Sequence, residues 1–324
     1  MFLPLAMHIP DGFLSIPVSA VGWLLLILLV GLALRQTRQH LGERQIPLMG
    51  ILAACVFAAQ MINFPVAGGT SGHLLGGALV AIFLGPWAAV LVMTCVIGVQ
   101  GLLFQDGGLL AMGFNVFNMG IVSAFVGYGA YRVVQRALGK APFAQVAGAA
   151  VGAWLGVVVA SAICALELAV SGTSPLTIAL PAMISIHALI GVGEALITVA
   201  AVVFVRQTRP DLLTDSAGRG ARQGWGLVAA GLLIAIAIAF ASPLANRNPD
   251  GLDSVAQKNG FVDKAQPAPY QVMPDYTVPF IQSEGFTTIA AGVIGVLVVA
   301  GAGFAVARLS KVKQKSDVSL GSGD

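Results

Sequence analysis

Residues 74–104 read LLGGALVAIFLGPWAAVLVMTCVIGVQGLLF and contain no Asp, Glu, Lys or Arg. A membrane crossing takes roughly 20 apolar residues. At a rise of 1.5 Å per residue this run would reach about 46 Å as one helix, too long for a single crossing. Gly85-Pro86 interrupts it, and proline breaks or kinks a helix. The run therefore divides into a short piece, Leu74–Leu84, and a full helix, Trp87–Phe104. Working outward, Asp106 is the sole formally charged residue between Gln45 and Tyr131. A soluble fold cannot leave so long a stretch without a solvated face, so the chain reads as a helical integral membrane protein.

The rest of the chain extends that reading. Of 324 residues 57% are hydrophobic and 10% charged, against about 25% charged in ordinary soluble domains; mean hydropathy is +0.88. Forty glycines suit close helix approach in lipid. Further apolar runs occupy Val18–Leu34, Ile46–Phe64, Leu109–Ala130, Phe143–Val170, Leu176–Val205, Trp225–Ala241 and Phe286–Ala307. The expected fold class is all-α: a seven-segment helical bundle plus a two-helix carboxy-terminal hairpin. Basic residues orient it. With the amino terminus outside, the segments 35–45, 131–142, 206–223 and the tail hold 14 of 17 Lys and Arg. Arg247, Lys258 and Lys264 fall in a single outside loop, 242–285. That asymmetry satisfies the positive-inside rule only if 74–104 crosses twice. It predicts a multi-pass protein of the cell inner membrane, carboxy terminus cytoplasmic. The expected division is residues 1–209 as the bundle and 210–324 as a second domain. Arg206–Gln223 reads as a polar linker. The 242–285 loop is too polar to lie in lipid.

Two histidines then share the outer face. His8 follows Met7 in Met7-His8-Ile9-Pro10-Asp11-Gly12-Phe13-Leu14, and His73 closes Gly68-Gly69-Thr70-Ser71-Gly72-His73. A histidine second from a free amino terminus offers three nitrogens in a row: the amine, the intervening amide and imidazole Nδ1. Such a set suits nickel(II) or copper(II), and His73 is a suitable fourth donor. The amine requires that the chain start at Met7, by translation from that methionine or by trimming of Met1–Ala6. The glycine-rich loop 68–77 is not a phosphate loop, since no G-x-x-x-x-G-K-[ST] occurs. No ATPase is expected in the chain, no cofactor of its own and no nucleic-acid partner.

Other polar residues sit at membrane depth: Gln60, Asn63, Gln100, Asn115, Asn118, Glu167, His187 and Glu194. Ionisable groups there are functional candidates by default. Glu194 lies two helical turns after His187, which reads as a proton relay or as structural glue. Cys55, Cys95 and Cys164 lie in apolar runs and read as core residues. Two rival classes stay open at this point. One is an ion-coupled secondary carrier using Glu167, His187 and Glu194. The other is an intramembrane enzyme, although H-E-x-x-H and G-x-S-x-G are both missing.

Three separated motifs carry a family resemblance: Met7–Leu14; Gly68–Gly77 with Leu84-Gly85-Pro86-Trp87; and Phe114-Asn115-Val116-Phe117-Asn118-Met119-Gly120. Together they resemble the substrate-capture component of energy-coupling-factor transporters for cobalt and nickel, the CbiM/NikM family, over roughly residues 7–205. That resemblance implies a bundle of seven membrane segments and metal ligands at Met7, His8 and His73, with supporting roles for Ser71, Asn115, Asn118, His187 and Glu194. It implies Co²⁺ or Ni²⁺ as the transported ion, and as partners a membrane coupling (T) subunit and cytoplasmic ABC-type ATPases. Pro249-Asp250-Gly251-Leu252, followed by Asp253, resembles the small partner subunit named for the motif P-D-G-L-E (CbiN/NikN-like). The chain thus looks like a fusion of the two, in which the 242–285 loop orders the amino-terminal metal segment or its gate.

Overall fold

The computed structural model describes residues 7–40, 42, 45–139, 141–209 and 224–310. Met1–Ala6, most of the expected linker and the basic tail after Ser310 lie outside the described residues. The fold is built from helices α1 (Ile16–His40), α2 (Gln45–Gln60), α3 (Gly77–Leu84) and α4 (Pro86–Val99), the last continued by a π-helical turn, Gln100–Phe104. Helix α5 (Met112–Val116) runs through a second π-helical stretch, Phe117–Val122, into α6 (Ser123–Leu138). Then come α7 (Pro142–Val170), α8 (Leu176–Thr208), α9 (Gly224–Ala241), the short α10 (Gly251–Lys258) and α11 (Glu284–Leu309). Five of these segments are long and apolar enough to cross a membrane among the described residues: Ile16–Arg38, Pro86–Phe104, Phe143–Val170, Leu176–Thr208 and Glu284–Leu309.

The break expected at Gly85-Pro86 is present. Gly85 has φ 82° and donates its N–H to the Ala81 carbonyl, and Pro86 opens α4. Only glycine takes that φ at no steric cost, and proline at the first helical position needs no N–H acceptor. Two expectations were simpler than the fold. The 109–130 run is one path but carries the π-helical insertion at 117–122. The glycine-rich 68–77 segment is not a plain loop. Its residues 68–72 form the turn and second strand of a small antiparallel hairpin, β1 (Phe64–Val66) with β2 (Thr70–Gly72), turned by Gly68-Gly69.

Helix packing follows the glycines. A Cβ placed on Gly152 of α7 would overlap the Gly127 carbonyl of α6, and one on Gly113 would overlap the Gly22 backbone of α1. Without a hydrophobic difference between lipid and core, such close backbone contact is what holds membrane helices together. Gly152→Val is expected to cost about 1–3 kcal/mol by overpacking, read as a lower thermal midpoint in detergent. The second domain is no separate appendage: α11 runs along α2 and α4, and α9 along α2. Phe57 and Phe104 are fully buried there, with a Cβ on Gly295 of α11 overlapping the Phe57 ring.

All the connecting segments at one end of the bundle interlock. Gly108 N–H donates to Ile9 O, Ser71 N–H to Pro249 O, Asn246 N–H to Asn63 O, and Met273 N–H to Leu103 O. Thr173 Oγ1 donates to Phe13 O. The 242–285 segment, read as a solvated loop, buries Leu252, Val255, Ala256, Phe261, Tyr276 and Val278. Its polar residues decorate a lid with an apolar underside.

Candidate metal site

That lid covers the two histidines. His8 and His73 are 2% and 7% exposed, and their ring centroids lie 5.8 Å apart, edge to face. The segment 7–14 is fixed by two side chains that reach its backbone. Asn115 Oδ1 accepts from Ile9 N–H at 2.9 Å and Asn115 Nδ2 donates to Ile9 O at 3.0 Å. Asp11 turns the other way: its carboxylate accepts from the N–H groups of Leu109, Leu110 and Ala111 at 3.1, 2.8 and 3.2 Å. These N–H groups belong to the turn that leads into α5, and all three point at the one carboxylate. Gln266 N–H donates to Asp11 O at 2.7 Å, so the lid adds a bridge on the outer edge.

His73 is positioned from below. Glu194 of α8 accepts from Leu75 N–H at 2.6 Å and Gly76 N–H at 2.9 Å. These groups lie just ahead of α3, so Glu194 ties down the backbone between the histidine and that helix. Gln60 Nε2 donates to Leu75 O at 2.8 Å and Gln100 Nε2 to Gln60 Oε1 at 2.9 Å. His187 makes a separate bond, Nδ1 to Met183 O at 2.8 Å within α8. The two residues read as a relay are therefore engaged with different partners. Ser71 also serves the lid: its Oγ donates to Asn248 O at 2.7 Å. Asn118 Nδ2 donates to Glu167 Oε2 at 2.9 Å.

Two acidic residues at the site were not among the sequence candidates. Asp106 Oδ1 accepts from Met7 N–H at 2.8 Å and lies 3.1 Å from His8 Nδ1. Its Oδ2 accepts from Tyr276 O–H of the lid at 2.6 Å. Asp250 Oδ2 lies 3.8 Å from His73 Nε2, and its Oδ1 caps α10 by accepting from Asp253 N–H at 2.8 Å. The signals were in the sequence. Asp106 is the lone charge of an 87-residue stretch, residues 45–131, and Asp250 is the acid of the P-D-G-L motif.

The electrostatics divide the histidines. Burial pulls the His8 pKa down, but the Asp106 carboxylate and its hydrogen bonds outweigh this and leave the value above 6.5. His73 is held below 6.5 by burial and by the charge of His8. Burial raises Asp106, yet the His8 charge and the hydrogen bonds from His8 and Tyr276 leave it below 3.8. Burial pushes Asp250 up to about 8. A neutral His73 carries one N–H, while its Nδ1 and Nε2 face the carbonyls of Leu74 and Met7 at 3.0 and 3.1 Å. One of those nitrogens therefore presents a lone pair with no proton to meet. His8 Nε2 is buried with no hydrogen-bond partner. Unsatisfied polar atoms of this kind are costly in a dry site. Among the described residues no three His, Cys, Asp or Glu side chains gather in metal-holding geometry, so a site here needs backbone nitrogen as well.

Comparisons with known proteins give the family. Residues 8–212 match the family described as "Cobalt uptake substrate-specific transmembrane region" and residues 225–312 match the PDGLE domain. A putative fused nickel transport protein NikMN of Archaeoglobus fulgidus is 36% identical over 94% of this chain and 99% of its own length. The fused nickel transport protein NikMN of Rhodobacter capsulatus is 28% identical over 92% of this chain and 96% of its own. A crystal structure of a truncated transition metal transporter superposes with a TM-score of 0.56 at 34% identity, covering 62% of this chain and 99% of that one. The helical membrane fold, the covered pair of imidazoles and these matches together place the chain in the CbiM family of cobalt and nickel transport proteins, with a PDGLE domain at its carboxyl end.

Proposed function

We propose that this chain is the metal-capture subunit of an ATP-driven importer for Co²⁺ or Ni²⁺. Residues 1–209 form the capture domain and residues 210–324 the partner domain that closes over it. The observation that carries the reading is the meeting of His8 and His73, 5.8 Å apart between ring centroids and both buried. The Met7 nitrogen and His8 Nδ1 converge on one point, Asp106 Oδ1, at 2.8 and 3.1 Å. Two nitrogens aimed at one point are the bite that a chelated ion needs. Metal entry exchanges Asp106 for the ion at those nitrogens, and His73 adds its imidazole. The dication must shed water here, and nitrogen donors with a planar preference suit Ni²⁺ and also accept Co²⁺.

Met7 acts as an amine only where the chain starts at that residue. The orientation in this proposal is amino terminus outside, carboxy terminus cytoplasmic, in the inner membrane. ATP hydrolysis belongs to separate cytoplasmic ATPases joined through a membrane coupling subunit. Two measurements test it. Intact-mass spectrometry of the metal-loaded protein is expected to show a chain beginning at Met7 with one Co²⁺ or Ni²⁺. Uptake in cells is expected to stop when the ATPases are inactivated and to survive collapse of the proton gradient. Uptake that persists without ATPases and ends with the gradient identifies a secondary carrier instead.

A further inference from the structure

A cavity of about 70 Å³ opens directly from His8 and His73 and runs between α7 and α8. Asn118, Ser161, Cys164 and His187 line it together with the apolar Val157 and Ile190. Neither the histidine pair nor the lid accounts for its polar lining. Asn118 is 5% exposed, and its Oδ1 is buried with no hydrogen-bond partner. Its amide nitrogen is fixed on Glu167, so the oxygen is held in place rather than free to turn away. Glu167 Oε1 beside it is likewise buried and unpartnered.

His187 supplies a third imidazole, with its tautomer set. Nδ1 faces the Met183 carbonyl at 2.8 Å. A carbonyl only accepts, so the neutral ring carries its proton on Nδ1 and leaves Nε2 as a lone pair. A carbonyl on the far nitrogen is how proteins orient imidazoles that ligate metals. Nε2 faces Gly251 of the lid, where an added Cβ would sit 2.9 Å from it. The cavity wall also offers the Cys164 sulfur and the thioethers of Met119 and Met183, soft donors that suit late divalent transition metals better than Mg²⁺ or Ca²⁺. Asn118 and Met119 stand on the π-helical stretch 117–122. Such insertions often mark functional positions.

We propose that His187 and Asn118 form a second, weaker site for the transported divalent transition metal, in the cavity beside the His8–His73 pair. It rests on the capture reading for the identity of the ion. The ion leaves the nitrogen cage and meets the His187 Nε2 lone pair and the Asn118 carbonyl in the same cavity.

The test is a Co²⁺ titration of the purified full chain in lipid nanodiscs, followed by visible absorption of bound Co²⁺. The wild type is expected to take up two equivalents, the second at least tenfold weaker. His187→Gln and Asn118→Leu should each weaken the second equivalent at least tenfold, with a thermal melt in the same nanodiscs reporting an intact fold. Asn118→Asp keeps the oxygen and should keep the second equivalent. A wild type that saturates at one equivalent, or a second equivalent unchanged in both His187→Gln and Asn118→Leu, overturns the proposal. His73→Ala separates the two readings: it should remove the tight equivalent alone. A tight equivalent that survives His73→Ala sinks the capture site, while the second site is still judged by its own variants.

Discussion

His8→Ala is expected to weaken Co²⁺ or Ni²⁺ binding by at least about 100-fold. Loss of a group that merely orients a metal ligand costs about 10–100-fold, and His8 would be a ligand itself. The fold should tolerate the change better than the site does. Asn115 holds the neighbouring Ile9 backbone by two hydrogen bonds, and Asp11 stays anchored on residues 109–111. The segment therefore keeps its path without the imidazole. Isothermal calorimetry on the purified chain, paired with a thermal melt, measures both. An unchanged metal isotherm in His8→Ala would remove this site from consideration.

The second large effect is expected at Asp106. Its carboxylate ties three separate segments: Met7 through the backbone N–H, His8 through Nδ1, and the lid through Tyr276 O–H. Tyr276 in turn stacks on Phe104 at 4.7 Å, so the carboxylate anchors the lid to the bundle core. Asp106→Ala strands a charged His8 in a buried site. Breaking one side of a buried ion pair costs about 3–5 kcal/mol. We expect a matching fall in thermal stability and faster proteolysis of the 242–285 segment in the metal-free protein. Wild-type melting and cleavage rates in Asp106→Ala would show that the lid is held some other way.

The same pair fixes the direction of the pH response. His8 has a raised value, so its contribution to the metal-free fold is complete below 6.5 and is lost as pH rises through the raised value. Asp106 has a lowered value, so its contribution is present above 3.8 and is lost as pH falls through the lowered one. The metal must displace the His8 proton. Metal affinity is therefore expected to rise with pH across the His8 titration, which calorimetry in buffers of different protonation enthalpy reads as proton release.

Much of the architecture was legible because membranes limit the choices. Hydrocarbon demands internally bonded helices of a set length, so Val18–Leu34 and Phe143–Val170 announce α1 and α7 by composition alone. Gly85-Pro86 announced its own break, since φ 82° and a missing N–H are backbone chemistry local to two residues. The π-helical stretch at 117–122 was not legible: its apolar residues fit an α-helix equally well, and the neighbours it packs against, α4 and α7, are distant in sequence or unknown until the chain folds. Nor was the hairpin at 64–72, because three-residue strands carry too few alternating positions to show a period.

The candidate site divides in the same way. His8 and His73 stood out as titratable groups beside rigid backbone in an uncharged run. Asp106 stood in plain sight as a lone charge, but which residues it would meet depended on the lid returning Tyr276 to it from 170 positions away. His187 and Glu194 share a helix face in sequence, yet one bonds its own helix and the other holds the backbone of Leu75 and Gly76. Periodicity says which residues share a face and nothing about what that face touches. By itself, then, the order of amino acids determined a helical membrane protein with two imidazoles at one end, because hydropathy and backbone stereochemistry act over a few residues. Only the tertiary structure decided that the carboxy-terminal segment seals those imidazoles, and which carboxylate each one faces. Those outcomes depend on contacts between segments far apart in the chain, and no local rule encodes them.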